Sequence, residues 1–183
     1  MFVDLSKAFD SISHKKLLKC LQNIGVRGVV FDLFKSYLEN RTCKVSVAGE
    51  ESCDVSLEYG VPQGSFLGPL LYLIYINNVK RCFKRCKYFV YADDTVIISV
   101  HRNLNVAEAI LQEEFTIFQK WCHDKNLIMN GTKTKVMHIS TPHTIRKDVN
   151  LTFHSIDCVH SDMNVCKCTV KIEMVESFKW RND

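Results

Sequence analysis

Apolar side chains recur along the first forty residues at intervals that predict a strand and two helices. Residues 2–5 are a short β-rich segment, which predicts the first strand. Between residues 14 and 24 the apolar positions lie three or four apart, as on one face of a helix, and Gly25 is a typical stop. The same spacing predicts a second amphipathic helix through Val30, Phe31, Phe34, Tyr37 and Leu38.

The next forty residues show first an alternating pattern and then a long apolar run. Apolar and polar side chains alternate on both sides of a turn at residues 49–51, which predicts a β-hairpin through Val45, Val47, Val55, Leu57 and Tyr59. Ser65 can cap free amide groups, and Pro69 is tolerated in a first helical turn. We therefore expect an apolar helix from Ser65 to about Phe83.

A pair of acids interrupts the next β-rich stretch. Residues 87–91 and 95–100 both predict strands, and Asp93 and Asp94 lie between them, at the expected tip of a second hairpin. The pattern continues with one helix and three β-type segments, at residues 110–122, 134–140, 150–156 and 168–175. The resulting β-α-β-β-α-β order predicts an α+β fold, an antiparallel sheet with helices packed on one face.

Composition narrows the class of protein. The 183 residues are 46% hydrophobic and 24% charged, as in one globular domain, and a net charge of +4 permits nucleic acid as a partner without requiring it. The nine cysteines have no paired spacing, and the sequence does not open with a secretory signal. The longest apolar run, residues 69–76, is too short for a membrane span. These features predict an intracellular protein, cytoplasmic or nuclear, that is not secreted.

Three acids stand at strand ends: Asp4 in the first strand, and Asp93 with Asp94 in the second hairpin. Strand-end carboxylates brought side by side make a site suited to Mg²⁺, which prefers carboxylates plus substrate phosphates. Two such ions, roughly 3.5–4 Å apart, stabilise the attacking and leaving oxygens of a phosphoryl displacement, so the reaction class would be nucleotidyl transfer. Taken singly, Asp94 is equally well explained as a turn residue and Asp4 as a helix cap.

Four segments, in order, resemble the successive palm motifs of reverse transcriptases. They are FVDLSKAFD at residues 2–10, GVPQGS with LGPLL at 60–71, YADD at 91–94 and NGTKT at 130–134. The run is most similar to the non-LTR, LINE-like retrotransposon branch and covers about residues 2 to 180. YADD alone would be weak support, whereas four ordered motifs are highly specific. The resemblance implies a polymerase palm with a ferredoxin-like β-α-β-β-α-β core.

The same resemblance implies residue roles in catalysis. Asp4, Asp93 and Asp94 would be the catalytic metal ligands, holding two Mg²⁺ ions, with Mn²⁺ as a possible substitute. Phe9 would pack under the incoming sugar and exclude a 2′-hydroxyl, the group that separates ribonucleotides from deoxyribonucleotides. Core packing at the start of a helix is the alternative explanation for Phe9, since Phe is often buried.

Two further motif residues would contact the nucleotide. Gln63 would touch the incoming nucleotide or the template with an amide that both donates and accepts, and Gly60 and Gly64 would let the backbone approach a ligand closely. On spacing alone a plain loop is favoured, since this motif is also good turn chemistry. Lys133 would neutralise or protonate the leaving pyrophosphate, with a solvated surface lysine as the alternative and Lys135 as the neighbour that is easily confused with it.

The densest basic run lies near the predicted end of the apolar helix, at Lys80, Arg81, Lys84, Arg85 and Lys87. Cations there interact favourably with the helix dipole, which is a sufficient structural reason. Contact with a nucleic-acid backbone is the functional interpretation. Cys82 and Cys86, and the His and Cys residues between 154 and 168, lack zinc-finger spacing, so buried thiols are favoured over zinc.

The resemblance implies RNA-templated DNA synthesis, with an RNA template, a DNA primer and deoxynucleoside triphosphates as partners. Family members carry fingers upstream of the first motif and a thumb downstream, so we expect residues 1–183 to be a partial reverse transcriptase domain, a palm without fingers and thumb. The alternative is a truncated, catalytically incompetent nucleic-acid-binding remnant. Because terminal strands fray unless they are firmly paired, we also expect the strand that carries Asp4 to be poorly fixed. Phe9 and the Ala of YADD disfavour an RNA-templated RNA polymerase or a nucleotide cyclase.

Overall fold

The structure, a computed structural model, describes residues 1–140, 149, 151–154, 169–171 and 178–179. Backbone contacts divide the chain into two compact units. The sheet unit contains Met1–Ser6 and the chain from Val79 onward, and the helical unit contains Lys7–Asn78. None of the helices in the described part of the chain is long and apolar enough to cross a membrane.

The helices and strands of the described residues have the following bounds. The helices are α1 (His14–Asn23), α2 (Gly28–Leu38), α3 (Leu67–Ile76) and α4 (Leu104–Asp124), with a 3₁₀ segment at Asn77–Cys82. The strands are β1 (Phe2–Ser6), β2 (Thr42–Cys43), β3 (Ser46–Val47), β4 (Glu50–Glu51), β5 (Val55–Ser56), β6 (Lys87–Tyr91), β7 (Asp94–Ile98), β8 (Ile128–Met129), β9 (Ile139–Ser140), β10 (Thr152–His154), β11 (Thr169–Lys171) and β12 (Phe178–Lys179).

A four-stranded antiparallel sheet forms the centre of the sheet unit, in the order β6-β7-β1-β8. Successive side chains of a strand point to opposite faces. On one face Val3, Leu5 and Ile97 are buried, whereas Asp4 and Asp94 lie on the other, more open face. The predicted combination of helices with an antiparallel sheet is therefore confirmed.

Strand β1 is paired along both of its edges. Residues 2–4 pair with β7 and residues 5 and 6 pair with β8. Phe2 also exchanges two backbone hydrogen bonds with Lys135, with N···O distances of 2.7 and 2.9 Å. Strand β1 is thus an interior strand of the sheet, contrary to the expectation that it frays. The sequence did not predict β8, because a two-residue strand leaves no periodic pattern.

The helical unit has a small core of its own. Helix α1 packs against α2 and α3. Its leucines at 17 and 21 are fully buried, as are the α3 side chains of Leu71, Tyr72 and Tyr75. Burial raises the pKa of Tyr75 to about 12, so this phenol stays neutral within the core. Both predicted helices of this unit form, but Ile24 lies just beyond the end of α1, and Val30 on the predicted apolar face of α2 is 55% exposed.

The hairpin predicted in this unit forms, but its strands are short. Strand β3 pairs with β4 around the turn at residues 48 and 49, and β2 pairs with β5 farther from that turn. The glycine of the turn, Gly49, has a φ of 90°, which favours this residue type.

The apolar helix is shorter than predicted. Ser65 Oγ accepts a hydrogen bond from Gly68 N at 2.9 Å, so its capping role is confirmed. Helix α3 ends at Ile76, however, and the chain continues as the 3₁₀ segment instead of an α-helix to Phe83. Two consecutive asparagines follow Ile76, and asparagine favours caps and turns over helix interiors because its amide competes for backbone hydrogen bonds.

The β-type segments predicted after α4 contain shorter strands. Strands β10 and β11 form an antiparallel pair. Strands β9 and β12 form a parallel pair, which departs from the purely antiparallel pairing that was expected. Helix α4 begins at Leu104, earlier than its apolar spacing indicated, because Asn103 Oδ1 accepts from Asn105 N at 2.9 Å and caps the first turn.

Glu114 is a buried acid that the sequence pattern did not single out. Only 3% of its surface is exposed. Its carboxylate accepts three backbone hydrogen bonds, from the N–H groups of Lys84, Arg85 and Cys86 at 3.0, 2.7 and 2.9 Å. Burial alone would raise the pKa of Glu114, but these backbone donors outweigh burial and the pKa falls below its ordinary value of 4.5. This carboxylate clamp fixes the chain immediately before β6.

Glu114→Gln removes the negative charge from the clamp and leaves one acceptor oxygen. We expect the free energy of unfolding at pH 7 to fall by about 2 kcal/mol, because buried N–H groups lose their partners. Since the pKa of Glu114 is lowered in the folded state, its contribution is complete above about pH 4.5 and is lost as the pH falls through the folded-state value. Urea unfolding at a series of pH values measures both effects.

Glu113→Gln is the matched control. Glu113 is the exposed neighbour of Glu114 and pairs with Arg85 at the surface, so its loss should cost less than about 1 kcal/mol. Equal losses of unfolding free energy in the two variants would contradict the clamp. So would a stability difference between the unaltered chain and Glu114→Gln that stays the same at acidic pH.

Candidate active site

The strand register places two of the predicted acids opposite each other. Asp4 on β1 is the direct partner of Asp94 on β7. Directly opposed residues of antiparallel strands point to the same face of the sheet, with Cβ atoms about 4.5–5.5 Å apart. The side chain of Asp4 is 24% exposed, and Asp94 is exposed. Two carboxylates therefore lie side by side on the open face of the sheet.

Asp93 occupies the turn immediately before Asp94. Because Tyr91 pairs with Asp94, the turn consists of Ala92 and Asp93, and Asp94 is the first residue of β7. This corrects the prediction that both acids lie at the hairpin tip. Ala92 has a left-handed φ of 51°, which costs a residue other than glycine roughly 1–2 kcal/mol. Strained backbone of this kind is concentrated at functional sites.

Lys133 lies beside the acid of the first motif. Its Nζ is 3.9 Å from Asp4 Oδ2, and its side chain is 69% exposed. A pair this exposed stabilises the fold by about 1 kcal/mol at most, so the contact matters mainly because it locates the Lys133 ammonium next to Asp4. The neighbouring Lys135 instead pairs through its backbone with Phe2. The ion pair of Asp4 is thus with Lys133, the lysine that the motif indicates, while Lys135 pairs opposite Phe2 on the strand that carries Asp4.

Asn130 builds the turn that carries Lys133. Its Oδ1 accepts from Thr132 N, Thr132 Oγ1 and Lys133 N at 3.2, 2.7 and 3.2 Å. Its backbone N donates to the Asp4 carbonyl oxygen at 2.9 Å. Its own carbonyl accepts from the N and the Oγ1 of Thr134 at 2.9 and 2.7 Å. Asn130 therefore ties the lysine turn to the strand that carries Asp4.

Two of the three predicted nucleotide contacts, Phe9 and Gln63, belong to the helical unit. The Phe9 ring is half-buried and stacks on the buried ring of Tyr72, with centroids 4.7 Å apart and planes inclined by 28°. Val61 N, two residues before Gln63, donates to the Phe9 carbonyl at 3.1 Å. The segments that carry Phe9 and Gln63 are therefore directly joined.

Gln63 is exposed in a tight turn. Ser65 N donates to the Pro62 carbonyl at 3.2 Å, and Gly64 has a φ of 77°, as the third position of a type II turn requires. The Gln63 amide N donates to Asp10 Oδ1 at 2.8 Å. The backbone at Gly60 approaches Asp10 of the chain itself, whose carbonyl oxygen would lie 3.2 Å from an added Cβ, whereas the approach to a ligand stays a prediction.

The four residues of the basic run that were predicted to contact nucleic acid differ in whether their side chains are already paired with an acid. Lys80, Arg81, Lys84 and Arg85 are all exposed. Arg85 pairs with Glu113, and its Nε lies 3.9 Å from Glu114 Oε1. The Lys80, Arg81 and Lys84 side chains form no ion pair within the part of the chain that the structure describes.

The cysteines next to this basic run have the properties of core residues. Burial raises the pKa of Cys82 to about 11 and that of Cys86 to about 12. Both thiols therefore stay protonated at neutral pH, as is usual for buried cysteines. The remaining His and Cys residues considered for zinc, from position 154 to 168, lie outside the described side chains.

The acids offer oxygen ligands of the kind that Mg²⁺ prefers. Across residues 1–140 and the later described segments, no three His, Cys, Asp or Glu side chains are grouped to hold a metal ion. Asp4 and Asp94 offer two carboxylates on adjacent strands, and Asp93 offers a third one residue away. Mg²⁺ is usually held by one or two carboxylates and completes its shell with water and substrate phosphates. The donor set fits such an ion.

The chain belongs to the reverse transcriptase (RNA-dependent DNA polymerase) family, which it matches over residues 1–176. It is similar to the RNA-directed DNA polymerase from mobile element jockey of Drosophila melanogaster, with 32% identity over 139 residues, 72% of this chain and 15% of that protein. The probable RNA-directed DNA polymerase from transposon X-element of the same species is 32% identical over 139 residues, 73% of this chain and 15% of its own length.

A more distant relative is the Pol polyprotein from type-1 retrotransposable element R2 of Nasonia vitripennis, which is 26% identical over 154 residues, 73% of this chain and 15% of that protein. The predicted membership in the non-LTR retrotransposon branch is confirmed. The chain spans about 15% of the length of these curated relatives.

Two contributors to the site escaped the sequence analysis. Asn130 was seen only as part of the lysine motif, although Asn followed by Gly is a recognisable turn signal. Asp10 stands in the first motif, but its contact with Gln63 spans 53 positions in the chain. No local pattern predicts a contact between residues so far apart in sequence.

Asn130→Ala tests the turn that positions Lys133. We expect faster amide hydrogen exchange at Thr132 and Lys133, and a loss of about 1 kcal/mol in the free energy of unfolding, because both N–H groups lose their acceptor. Asn105→Ala is the control, since Asn105 is an exposed asparagine in the first turn of α4. Unchanged exchange in Asn130→Ala would contradict the anchoring role.

Proposed function

We propose that this chain carries the catalytic site for RNA-templated DNA synthesis by two-metal nucleotidyl transfer, as the palm of a retrotransposon reverse transcriptase. The observation that carries the proposal is the register that sets Asp4 opposite Asp94, with Lys133 Nζ 3.9 Å from Asp4. Family membership supports the reaction class, and this charge arrangement supports its chemistry.

The sheet order supports assignment as a palm core. Between strands β1 and β6 of this sheet the chain forms helices α1 to α3 and the short strands β2 to β5, and between β7 and β8 it forms α4. A ferredoxin-like sheet places its first strand between the third and the fourth, and the order β6-β7-β1-β8 agrees with that arrangement. The ferredoxin-like palm is therefore our proposal for the sheet unit.

Asp4, Asp93 and Asp94 would hold two Mg²⁺ ions, or Mn²⁺ in their place, together with the phosphates of a bound nucleotide. Bound there, the ions would stabilise the attacking and leaving oxygens of the displacement. Lys133 would approach the leaving pyrophosphate from the Asp4 side and neutralise or protonate it. The Asn130 turn would keep the Lys133 ammonium within reach.

Phe9 and Gln63 would take the other two nucleotide-binding roles that the family resemblance implies. The Phe9 ring, braced by Tyr72, would exclude a 2′-hydroxyl from the sugar position. Gln63 would offer its amide to the incoming nucleotide. The expected partners are an RNA template, a DNA primer and deoxynucleoside triphosphates, and the expected compartment is the cytoplasm or the nucleus.

A nucleic-acid-binding remnant without turnover is the second candidate function. The exposed, unpaired side chains of Lys80, Arg81 and Lys84 among the described residues favour it, since clustered cations bind phosphates without any catalytic group. The two candidates differ in one measurable property, because only the polymerase needs divalent ions at the acids.

Asp93→Asn should weaken divalent binding and abolish any primer extension, because the neutral amide cannot replace a carboxylate ligand. Mn²⁺ titration followed by electron paramagnetic resonance measures the first effect, and extension of a DNA primer on an RNA template measures the second. Binding of the primer–template should stay within about twofold, since the basic run is untouched.

Asp32→Asn is the control for these measurements, because Asp32 is an exposed aspartate on α2. Mn²⁺ affinity that is equal in both variants would refute the metal site. Primer extension that survives Asp93→Asn would refute its catalytic role, and intact nucleic-acid binding with no extension by the unaltered chain would favour the remnant.

Phe9→Ala should raise the use of ribonucleotides relative to deoxyribonucleotides by about tenfold or more, because the 2′-hydroxyl no longer meets the ring. The ratio of affinities for ATP and dATP with Mg²⁺, and the ratio of their incorporation, measure this change. Tyr91→Ala is the aromatic control and should affect sugar choice less. Unchanged discrimination in Phe9→Ala, with retained folding by circular dichroism, would show that the ring only packs against Tyr72.

A further inference from the structure

The GVPQG loop is attached to the first motif at several backbone positions within the helical unit. Gly60 N donates to the Ile12 carbonyl at 2.8 Å, and Val61 N donates to the Phe9 carbonyl at 3.1 Å. His14 Nε2 lies 2.6 Å from the Gly60 carbonyl oxygen, and since a carbonyl only accepts, Nε2 carries the proton. The loop that bears Gln63 is therefore held against residues 9–14.

Gly60 is required for this close approach. Its φ is 86°, and a Cβ at this position would lie 3.2 Å from the Asp10 carbonyl oxygen and 3.3 Å from its Cα. A larger residue would be strained in conformation and crowded against backbone that cannot move aside. This contact brings the turn at Gln63 over the side chain of Asp10.

Asp10 fixes which way the Gln63 amide points. A side-chain amide has two nearly isosteric orientations, which exchange its donor and acceptor ends. An ionised carboxylate only accepts hydrogen bonds, so the contact of 2.8 Å with Asp10 Oδ1 selects the orientation in which the Gln63 nitrogen faces Asp10. The Gln63 carbonyl oxygen and its second N–H then remain available to a ligand.

We propose that Asp10 is a positioning residue, which holds the Gln63 amide in one orientation for an incoming deoxynucleoside triphosphate. This inference rests on the proposed role of Gln63 in nucleotide binding. Asp10 does not itself touch the nucleotide in this account. Its negative charge would be unfavourable in direct contact with phosphates, so it acts through its hydrogen bond to the Gln63 amide.

The first measurement is the affinity for dATP with Mg²⁺, by fluorescence or calorimetric titration of the 183-residue chain. We expect Asp10→Ala and Gln63→Ala each to weaken binding by roughly three- to tenfold. In the Gln63→Ala background, Asp10→Ala should have no further effect, because the positioned group is already missing. Asp32→Ala, an exposed aspartate of the same unit, should bind like the unaltered chain.

The second measurement follows the Gln63 side-chain amide by ¹H–¹⁵N NMR. In the unaltered chain we expect one N–H of this amide to be displaced by its bond to Asp10, and both N–H signals to shift on addition of dATP. In Asp10→Ala the free amide should lose this displacement. Asp10→Asn, which keeps an acceptor oxygen but no charge, should be intermediate in both measurements.

The outcomes separate this inference from the proposed function. The positioning role would be overturned if the Gln63 amide signals responded equally to dATP in the unaltered chain and in Asp10→Ala. It would also be overturned if the losses of dATP affinity were additive in the double variant. Both results would leave the nucleotide role of Gln63 intact. No response of this amide to dATP in any variant would overturn both roles. The proposed metal site at the acids is tested independently of both roles, by Mn²⁺ binding.

Discussion

The pairing of β1 with β7 and β8 is the constraint on which the acidic site depends. Because side chains alternate along a strand, a shift of one residue in this register would turn Asp4 toward the buried face and bring Val3 or Leu5 to the open one. Burial of the two apolar neighbours therefore selects the register that exposes the acid. The same register sets Asp94 opposite Asp4, so core packing and site geometry share one cause.

Two side chains that collect several backbone N–H groups complete this arrangement. Glu114 fixes residues 84–86 before β6, the strand that leads into the acidic turn. Asn130 fixes the turn after β8 and binds the backbone of the strand that carries Asp4. In both cases one acceptor satisfies N–H groups that regular secondary structure leaves unpaired, so an irregular segment becomes a defined one.

The first motif contributes to both compact units. Asp4 belongs to the sheet unit, while Phe9 and Asp10 belong to the helical unit. In the sheet unit the proposed metal ligands and Lys133 are held by strand pairing and one side-chain-anchored turn. In the helical unit Phe9 is held by stacking on Tyr72 and Gln63 by a hydrogen bond to Asp10. The proposed chemistry and the proposed nucleotide contacts thus rest on separate sets of interactions.

The sequence by itself determined the family, the principal helices, the first strand and the second hairpin. These features depend on ordered motifs or on periodic patterns of apolar residues, which are local. It also determined the residue types at the site, since Asp4, Asp93, Asp94 and Lys133 all stand within recognisable motifs. Their roles in catalysis remain predictions.

Tertiary structure decided what depends on contacts between distant segments. It showed that Asp94 rather than Asp93 lies opposite Asp4, and that Lys133 Nζ lies 3.9 Å from Asp4. It also revealed the short strand β8, the clamp at Glu114 and the bond between Asp10 and Gln63. A two-residue strand has too few residues for a period, and a single long-range hydrogen bond leaves no periodic signal in the sequence, so only the folded chain specifies them.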